Sequence, residues 1–211
     1  MSEAPAAQAA LDALQAEMRA CRRCIEAGYA VQGPAVFSGP ATAQVMIIGQ
    51  APAQIDLQHG SRPWSGAGGR RLMGWLARAG FSEDDLRQKQ YMAALTRCFP
   101  GKHPSGRGDR APTPAERRLC APYLERELSL IRPRLIIAVG KLAIERFLGA
   151  GGLAGRVGQV YRVDVGELAG VWVAPLPHPS GASLWLNRPQ NLALVEQALA
   201  RLAQVRHDLG L

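Results

Sequence analysis

The four cysteines of this 211-residue chain have a spacing that suits a metal centre. Cys21 and Cys24 form a Cys-x2-Cys pair, and Cys98 and Cys120 follow far downstream. Four thiolates can hold one tetrahedral zinc ion or one [4Fe–4S] cluster, and four thiols can instead form two disulfides. Residues 1–20 lack the apolar core of a secretory signal, which predicts a reducing cytoplasm, where disulfides are rare. The residues alone therefore favour a metal centre, but they do not separate zinc from iron–sulfur.

Three other features could bind a planar, polar ligand. His178 lies between two prolines, and a stiffly held imidazole can donate a hydrogen bond to charge that develops on a leaving group. The turn Gly49-Gln50-Ala51-Pro52 can present backbone N–H groups to an anion or a base edge. Trp64 could stack on a base. Each has an ordinary alternative: a surface histidine, a plain turn after a strand, and a core tryptophan.

The charge of the chain predicts a polyanionic partner. The formal net charge is +8 and the pI is about 9.9, which favours nucleic acid, although an Arg-rich composition can also reflect coding bias. Candidate phosphate contacts flank and occupy the basic segment after Cys98: Arg97, Lys102, Arg107 and Arg110. No apolar run approaches the ~20 residues that span a bilayer, so we expect no membrane association.

A short apolar segment follows His178. Leu184 and Trp185 stand at its tip and could wedge into a base stack, or simply pack against the protein.

Short apolar runs alternate with helical patterns along the chain. The runs predict strands at 45–48, 91–95, 135–139, 160–163 and 171–176. Helices are predicted at 4–20, 67–79, from Ser82, at 113–131, from 141 and at 189–205, the last with a buried stripe of Leu192, Val195, Leu199 and Leu202. This alternation predicts a single domain over residues 1–211, a three-layer α/β/α sandwich around a mainly parallel sheet.

The chemically unusual residues stand where the predicted strands end. Gly49-Gln50-Ala51-Pro52, Arg97-Cys98, Gly140-Lys141 and His178-Pro-Ser180 each follow a strand. Ligands of open α/β sheets bind at the carboxyl ends of the strands. We therefore expect one site that gathers these four strand ends.

Taken in order, these motifs resemble the uracil-DNA glycosylase superfamily, and in particular its iron–sulfur branches, families 4 and 5. The resemblance runs from Cys21 to the final helix. The matching segments are Cys21-x2-Cys24, Gly49-Gln-Ala-Pro-Ala53, Gly60-Ser-Arg-Pro-Trp-Ser-Gly66, Thr96-Arg-Cys98, Pro112-Thr-Pro-Ala-Glu116, Cys120-Ala-Pro-Tyr-Leu124, Pro133-Arg-Leu-Ile-Ile-Ala-Val-Gly140 and His178-Pro-Ser180.

The resemblance implies a DNA-repair enzyme that flips out uracil, with other deaminated bases as further candidates, and hydrolyses the N-glycosidic bond without cutting the strand. It implies a structural [4Fe–4S] cluster on Cys21, Cys24, Cys98 and Cys120. Substrate would be bound by Gly49, Gln50, Ala51, Pro52, Trp64, Ala94 and Ser180. His178 would stabilise the leaving base, and Gln50, Asp56 and Asn187 are the candidates to position water. The expected setting is a monomer on DNA at the bacterial nucleoid.

The chain departs from both families at positions that contact the base. Family 4 has Gly-Glu-Ala-Pro-Gly where this chain has Gly49-Gln50-Ala-Pro-Ala53. The asparagine that reads the uracil edge in family 4 corresponds to Ala94, and the family 5 acid corresponds to Ala67. The glutamine motivates a second hypothesis, a slow or non-catalytic member that holds uracil or abasic sites.

Overall fold

The computed structural model describes residues 3–106, 108–181 and 183–211. Within these residues, five strands form one sheet in the order β2-β1-β3-β5-β4. The strands are β1 (Val45–Gly49), β2 (Tyr91–Ala94), β3 (Leu135–Val139), β4 (Tyr161–Val165) and β5 (Leu168–Leu176). β1 pairs in parallel with β2 and β3, and β3 pairs in parallel with β5, whereas β4 pairs antiparallel with β5. The expected mainly parallel sheet is confirmed.

Helices cover both faces of this sheet. Every residue of β1, β2 and β3 is buried, as in parallel sheets that pack helices on each side. α1 packs against α6, and α4 packs against α8. The helices are α1 (Glu3–Ala20), α2 (Arg23–Glu26), α3 (Gln54–Gln58), α4 (Ala67–Arg78), α5 (Glu83–Lys89), α6 (Pro114–Ile131), α7 (Lys141–Leu148) and α8 (Pro189–Leu209).

The start of α6 is fixed by a capping box. Thr113 Oγ1 accepts a hydrogen bond from the Glu116 N–H (3.2 Å), and Glu116 Oε2 accepts one from the Thr113 N–H (2.7 Å). Pro114 occupies the first turn, where no N–H is needed. This capping box sets the register of α6 and thereby places Cys120.

The predicted stripe of α8 is wrong at one position. Leu192 is 48% exposed, whereas the other three members of the stripe are buried. Asn191 takes the buried place instead, because its Nδ2 donates to the Trp185 carbonyl (2.7 Å). A polar side chain with a local partner thus replaces the apolar one that the periodicity predicted.

The carboxyl ends of the parallel strands meet at one edge of the sheet. Gly49 stands opposite Ala94 in the register, and Val139 stands opposite Leu176, two residues before His178. The four marked strand ends therefore lie along this edge, but Arg97 and Cys98 line a different cavity from the other three strand ends. None of the helices in the described ranges has the length and apolar character that crossing a bilayer requires.

Candidate active site

A cavity of about 610 Å³ opens at this edge of the sheet, within the size range of small-molecule sites. Its wall combines the loops that follow β1, β2, β3 and β5 with the start of α4. Most of the site residues expected from the sequence line it: Gly49, Gln50, Ala51, Pro52, Asp56, Trp64, Ala94, Lys102, Arg110, His178 and Ser180.

His178 is held as a neutral hydrogen-bond donor. Its Nδ1 accepts a hydrogen bond from the Ser180 N–H (3.3 Å), so in the neutral ring the proton resides on Nε2. Burial lowers the pKa of His178 below its ordinary value, which keeps the ring uncharged at neutral pH. Arg71 Nη1 donates to the Pro179 carbonyl (3.1 Å) and fastens the loop to α4. Gly140 lies beneath the ring, where a Cβ would come within 3.3 Å of His178 Cδ2.

Trp64 is fixed in an unusual backbone conformation, with φ of +59°. Arg87 Nη2 donates to its carbonyl (3.4 Å), and α4 approaches so closely that a Cβ on Gly69 would lie 1.8 Å from that oxygen. The indole rests on Gly49, where a Cβ would be 2.9 Å from Trp64 Cζ2. Its ring centroid is 6.4 Å from that of His178, with 45° between the planes. An aromatic face and an N–H donor therefore border the same space.

Asp56 organises the loop between β1 and α4. The side chain is buried, and its Oδ2 accepts from the Ala53 N–H (2.9 Å) while its Oδ1 accepts from the Ser65 N–H (2.8 Å). Burial raises the pKa of Asp56, and these two N–H groups counteract that rise. Because both oxygens already accept hydrogen bonds, the carboxylate is first of all a brace for the turn that carries Trp64.

Arg97 was wrongly predicted to contact phosphate. It is 2% exposed and forms an ion pair with the fully buried Glu127, so it cannot reach a DNA backbone. Lys102 and Arg110 do line the cavity, but each is ion-paired, Lys102 with Asp109 (2.8 Å) and Arg110 with Glu116 (2.5 Å). The fourth candidate, Arg107, lies outside the described residues.

Two predictions about the segment after His178 also need correction. Asn187 is exposed and does not contribute to the cavity wall in the described residues, because it ends a short 3₁₀ helix at Leu184–Asn187. Trp185 packs against the hydrophobic core and is half-buried, so it is not a free tip. Leu184 is 77% exposed, and its neighbour Ser183 lines the cavity.

Comparison with known proteins agrees with this geometry. The family model described as the uracil DNA glycosylase superfamily matches residues 35–203, which include the whole sheet and the cavity. The chain belongs to the uracil DNA glycosylase superfamily.

Named relatives in this superfamily include both type-4 and type-5 uracil-DNA glycosylases. The type-4 protein of Archaeoglobus fulgidus is 31% identical over 139 residues, covering 64% of this chain and 62% of its own. The type-5 protein of Thermus thermophilus is 35% identical over 125 residues, 54% of each chain. The type-5 protein of Mycobacterium bovis is 30% identical over 161 residues, 69% of this chain and 57% of its own. The chain thus matches somewhat more than half of the length of these relatives.

The four cysteines lie together around a second cavity. Cys21 follows α1 and Cys24 lies in α2, and both meet Cys98 after β2 and Cys120 on α6 around a space of about 60 Å³. All four thiols are free of disulfide bonds. Burial and the neighbouring thiols raise the pKa of Cys98 to about 12 and that of Cys24 to about 11. The fold therefore gathers four residues that are distant in sequence around one point.

The donors of this cavity suit an iron–sulfur cluster in number and type. Four thiols in a mostly apolar cavity match the four-thiolate ligand set of a [4Fe–4S] cluster. Two buried polar atoms at its wall, Thr96 Oγ1 and Arg97 Nη1, have no hydrogen-bond partner among the described residues. The same described residues contain no group of three or more Cys, His, Asp or Glu side chains arranged to hold a metal ion. The fit to a [4Fe–4S] cluster therefore rests on the four thiol donors and the cavity they share. It does not rest on a coordination geometry.

Some residues of the site were not predicted as such. Lys141 lines the cavity that holds His178 and Trp64, at the start of α7, where the sequence marked only the end of a strand. Arg71 and Arg87 hold the histidine loop and Trp64 through backbone carbonyls. No signal in the sequence identifies Arg71 and Arg87, because the backbone carbonyls that they bind occur in every residue type.

Proposed function

We propose that the protein is a monofunctional uracil-DNA glycosylase that removes uracil from DNA by hydrolysis and leaves an abasic site. The observation that carries the proposal is His178, whose Nδ1 is occupied by the Ser180 N–H and whose Nε2–H is therefore the donor available to the cavity next to Trp64. A neutral donor beside an aromatic face suits a planar base that leaves as an anion.

The bond changes follow from this placement. A deoxyuridine flips out of the duplex at an unstacking cost of a few kcal/mol, and its base stacks on Trp64. As the bond between C1′ and N1 lengthens, the electron pair moves onto the base and charge grows at the uracil O2. His178 Nε2–H donates to that oxygen. A water oxygen then bonds to C1′, and its proton passes to the departing base or to solvent.

Gln50 is the residue that we propose to position the water. It lines the cavity at the end of β1, whereas Asp56 has both oxygens bound to backbone N–H groups and Asn187 lies away from the wall. An amide can accept a hydrogen bond from the water but cannot take its proton at neutral pH. The attack therefore relies on the oxocarbenium character of the sugar rather than on a strong general base.

Two lysines line the cavity, but neither has the surroundings of an amine nucleophile. Such lysines are activated by desolvation in an apolar pocket. The side chains of Lys102 and Lys141 are 54% and 64% exposed, and they pair with Asp109 and Glu145. This supports hydrolysis without Schiff-base chemistry or strand cleavage.

DNA would lie across the mouth of the cavity that holds Gln50, Trp64 and His178, the proposed base cavity. Lys102 and Arg110 border it, and we propose that they contact phosphates together with Arg107, which remains a prediction from the sequence. Leu184 would enter the base stack, since it is exposed beside the cavity wall. We propose that the protein acts as a monomer at the bacterial nucleoid, where the net charge of +8 favours DNA.

We further propose that Cys21, Cys24, Cys98 and Cys120 hold a [4Fe–4S] cluster. The support is the gathering of four free thiols around one cavity and the resemblance to the iron–sulfur branches of the superfamily. Through these four residues, a bound cluster would cross-link the N-terminal helices, the segment after β2 and α6. It would stabilise the segment that leads from Cys98 to the capping box of α6.

The base cavity favours a broad substrate range. Ala94 offers no polar group to read the Watson–Crick edge, and a site that does not hydrogen-bond that edge rejects other bases only weakly. We propose activity on uracil and on at least one deaminated purine, hypoxanthine or xanthine.

A second function is tight binding of uracil or abasic sites with little catalysis. It is favoured because the acidic side chains of the cavity already have hydrogen-bond or ion-pair partners. The acids that line the cavity are Asp56, which is bound to backbone N–H groups, and Asp109, which pairs with Lys102. One experiment separates the two functions. Purified protein is incubated in excess with a uracil-containing oligonucleotide and treated with alkali, and binding to an abasic oligonucleotide is measured in parallel. Cleavage supports the enzyme, whereas tight binding without cleavage supports the binder.

A further inference from the structure

Arg97 has a place in the fold that phosphate binding does not explain. The residue lies between β2 and Cys98, lines the thiol cavity and is 2% exposed. Its Nε donates to Glu127 Oε1 (3.3 Å), its Nη2 donates to Glu127 Oε2, and Tyr91 Oη also donates to Oε1 (2.8 Å). Glu127 is therefore well satisfied by two neighbours. The guanidinium needs a further explanation, because a fixed fork of N–H donors in the core normally finds acceptors for all of them.

One arm of this guanidinium has no acceptor in the protein. Arg97 Nη1 is buried and has no hydrogen-bond partner among the described residues, and the hydroxyl of the preceding Thr96 is in the same situation. Both residues line the cavity of the four cysteines. Two adjacent orphaned donors at one cavity wall indicate that the acceptor is something the cavity holds.

Arg97 also stands next to the proposed ligands. It directly precedes Cys98 in the chain, and it lines the same cavity as Cys21, Cys24 and Cys120. A positive charge at this wall favours negative charge on sulfur.

We propose that Arg97 is a positioning residue of the iron–sulfur site, whose Nη1–H donates a hydrogen bond to a sulfur of the cluster, either a cysteine thiolate or an inorganic sulfide. This inference rests on the proposed [4Fe–4S] cluster. Tyr91 holds Glu127, and Glu127 holds Nε and Nη2 of the guanidinium, which leaves the Nη1 arm for the sulfur.

The proposal makes a signed prediction about the cluster. A hydrogen bond and a positive charge at sulfur stabilise the more negative, reduced cluster and raise its reduction potential. Removing the donor therefore lowers the potential. Outer-shell partners of metal ligands typically contribute about 10- to 100-fold in metal affinity, so iron should also be lost faster.

The decisive variants are Arg97→Lys and Glu127→Gln, compared with the parent protein. Lysine can keep the ion pair with Glu127 but loses the second arm. Glu127→Gln keeps both arms of Arg97 and removes a buried negative charge. All are purified anaerobically, and three quantities are measured: iron per chain, the rate of iron release to a chelator, and the midpoint potential from the visible absorption.

We expect Arg97→Lys to release iron about 10- to 100-fold faster and to have a lower potential, while Glu127→Gln shifts the potential upward. A merely structural ion pair predicts that the two variants change the rate of iron release and the midpoint potential in the same direction, and that result would overturn the proposal. Arg146→Lys, in an exposed pair with Glu125, serves as the control and should match the parent.

Two further outcomes are informative. A parent protein that binds no iron overturns the cluster itself. A parent with a cluster, together with an Arg97→Lys variant whose rate of iron release is within twofold of the parent's, overturns only the role of Arg97.

If Arg97→Lys fails to fold, the double variant Arg97→Met with Glu127→Leu replaces the ion pair by apolar groups, a change that buried pairs often tolerate. Faster iron loss in that folded variant supports the proposal, and unchanged iron loss refutes it.

Discussion

Replacing His178 by alanine tests the proposed chemistry most directly. The imidazole offers one N–H donor to the cavity, because the Ser180 N–H occupies its other nitrogen. Loss of one donor to a developing oxyanion costs about 2.7–4 kcal/mol of transition-state stabilisation, which is about 10²- to 10³-fold in rate. We expect base release to slow by that factor, while binding of uracil-containing DNA changes little, since the donor acts on charge that forms in the transition state.

The assay is single-turnover release of uracil at enzyme excess, followed by alkaline cleavage of the abasic strand. His178→Gln keeps an N–H donor of similar reach and should recover part of the rate. His207→Ala, at a side chain 84% exposed near the end of α8, is the matched control and should behave as the parent. A loss of less than about threefold in His178→Ala would show that the histidine is structural.

The same histidine predicts the acid limb of the pH profile. Burial lowers its pKa, so the unfolded chain binds the proton more tightly than the folded one. The stability contributed by the neutral ring is complete above the ordinary value near 6.5 and is lost as the pH falls below it toward the lowered folded pKa. Protonation also turns Nδ1 from acceptor to donor against the Ser180 N–H. We expect the rate of base release in the parent to fall as the pH passes through the lowered folded pKa, and this limb to vanish in His178→Gln.

Three other predictions concern the metal centre, the DNA path and the base. Cys98→Ser should lose the brown colour of anaerobically purified protein and lower the melting temperature; a parent with one zinc and no iron would contradict the cluster. Lys102→Ala should weaken DNA binding and reduce the slope of log affinity against log salt by about one, and an unchanged slope would move the DNA path elsewhere. Ala94→Asn should narrow release toward uracil, and parent protein that releases neither hypoxanthine nor xanthine would refute the broad range.

The centre of the sheet could be predicted because β1, β2 and β3 are fully buried. A strand covered on both faces is a continuous apolar run, and Val45–Ile48 and Leu135–Val139 are such runs. Once the strands are parallel, their carboxyl ends must share an edge, so residues as distant as Gln50 and His178 could be assigned to one site. The prediction needed only chain order and burial, both of which are readable from the sequence.

Side-chain partners could not be predicted in the same way. Arg97 follows a strand and precedes a basic segment, and nothing in that context reveals that Glu127, 30 residues away on α6, neutralises it in the core. Asp56 was a candidate to position the water, but both of its carboxylate oxygens accept hydrogen bonds from backbone N–H groups. Such pairings depend on three-dimensional neighbours, which residue type and spacing do not specify.

The way Trp64 is held has an entropic consequence for recognition. Ordering a mobile side chain at a binding surface costs about 0.5–1.5 kcal/mol in each binding event. Here that ordering is completed during folding. The indole packs on Gly49, Arg87 donates a hydrogen bond to the Trp64 carbonyl, and Gly69 packs closely against the same carbonyl. A base that enters the cavity would meet an aromatic face that is already ordered. A methyl group at Gly49 would come within 2.9 Å of the indole and push the ring out of this position. It would therefore weaken affinity for every base alike without removing a contact to DNA.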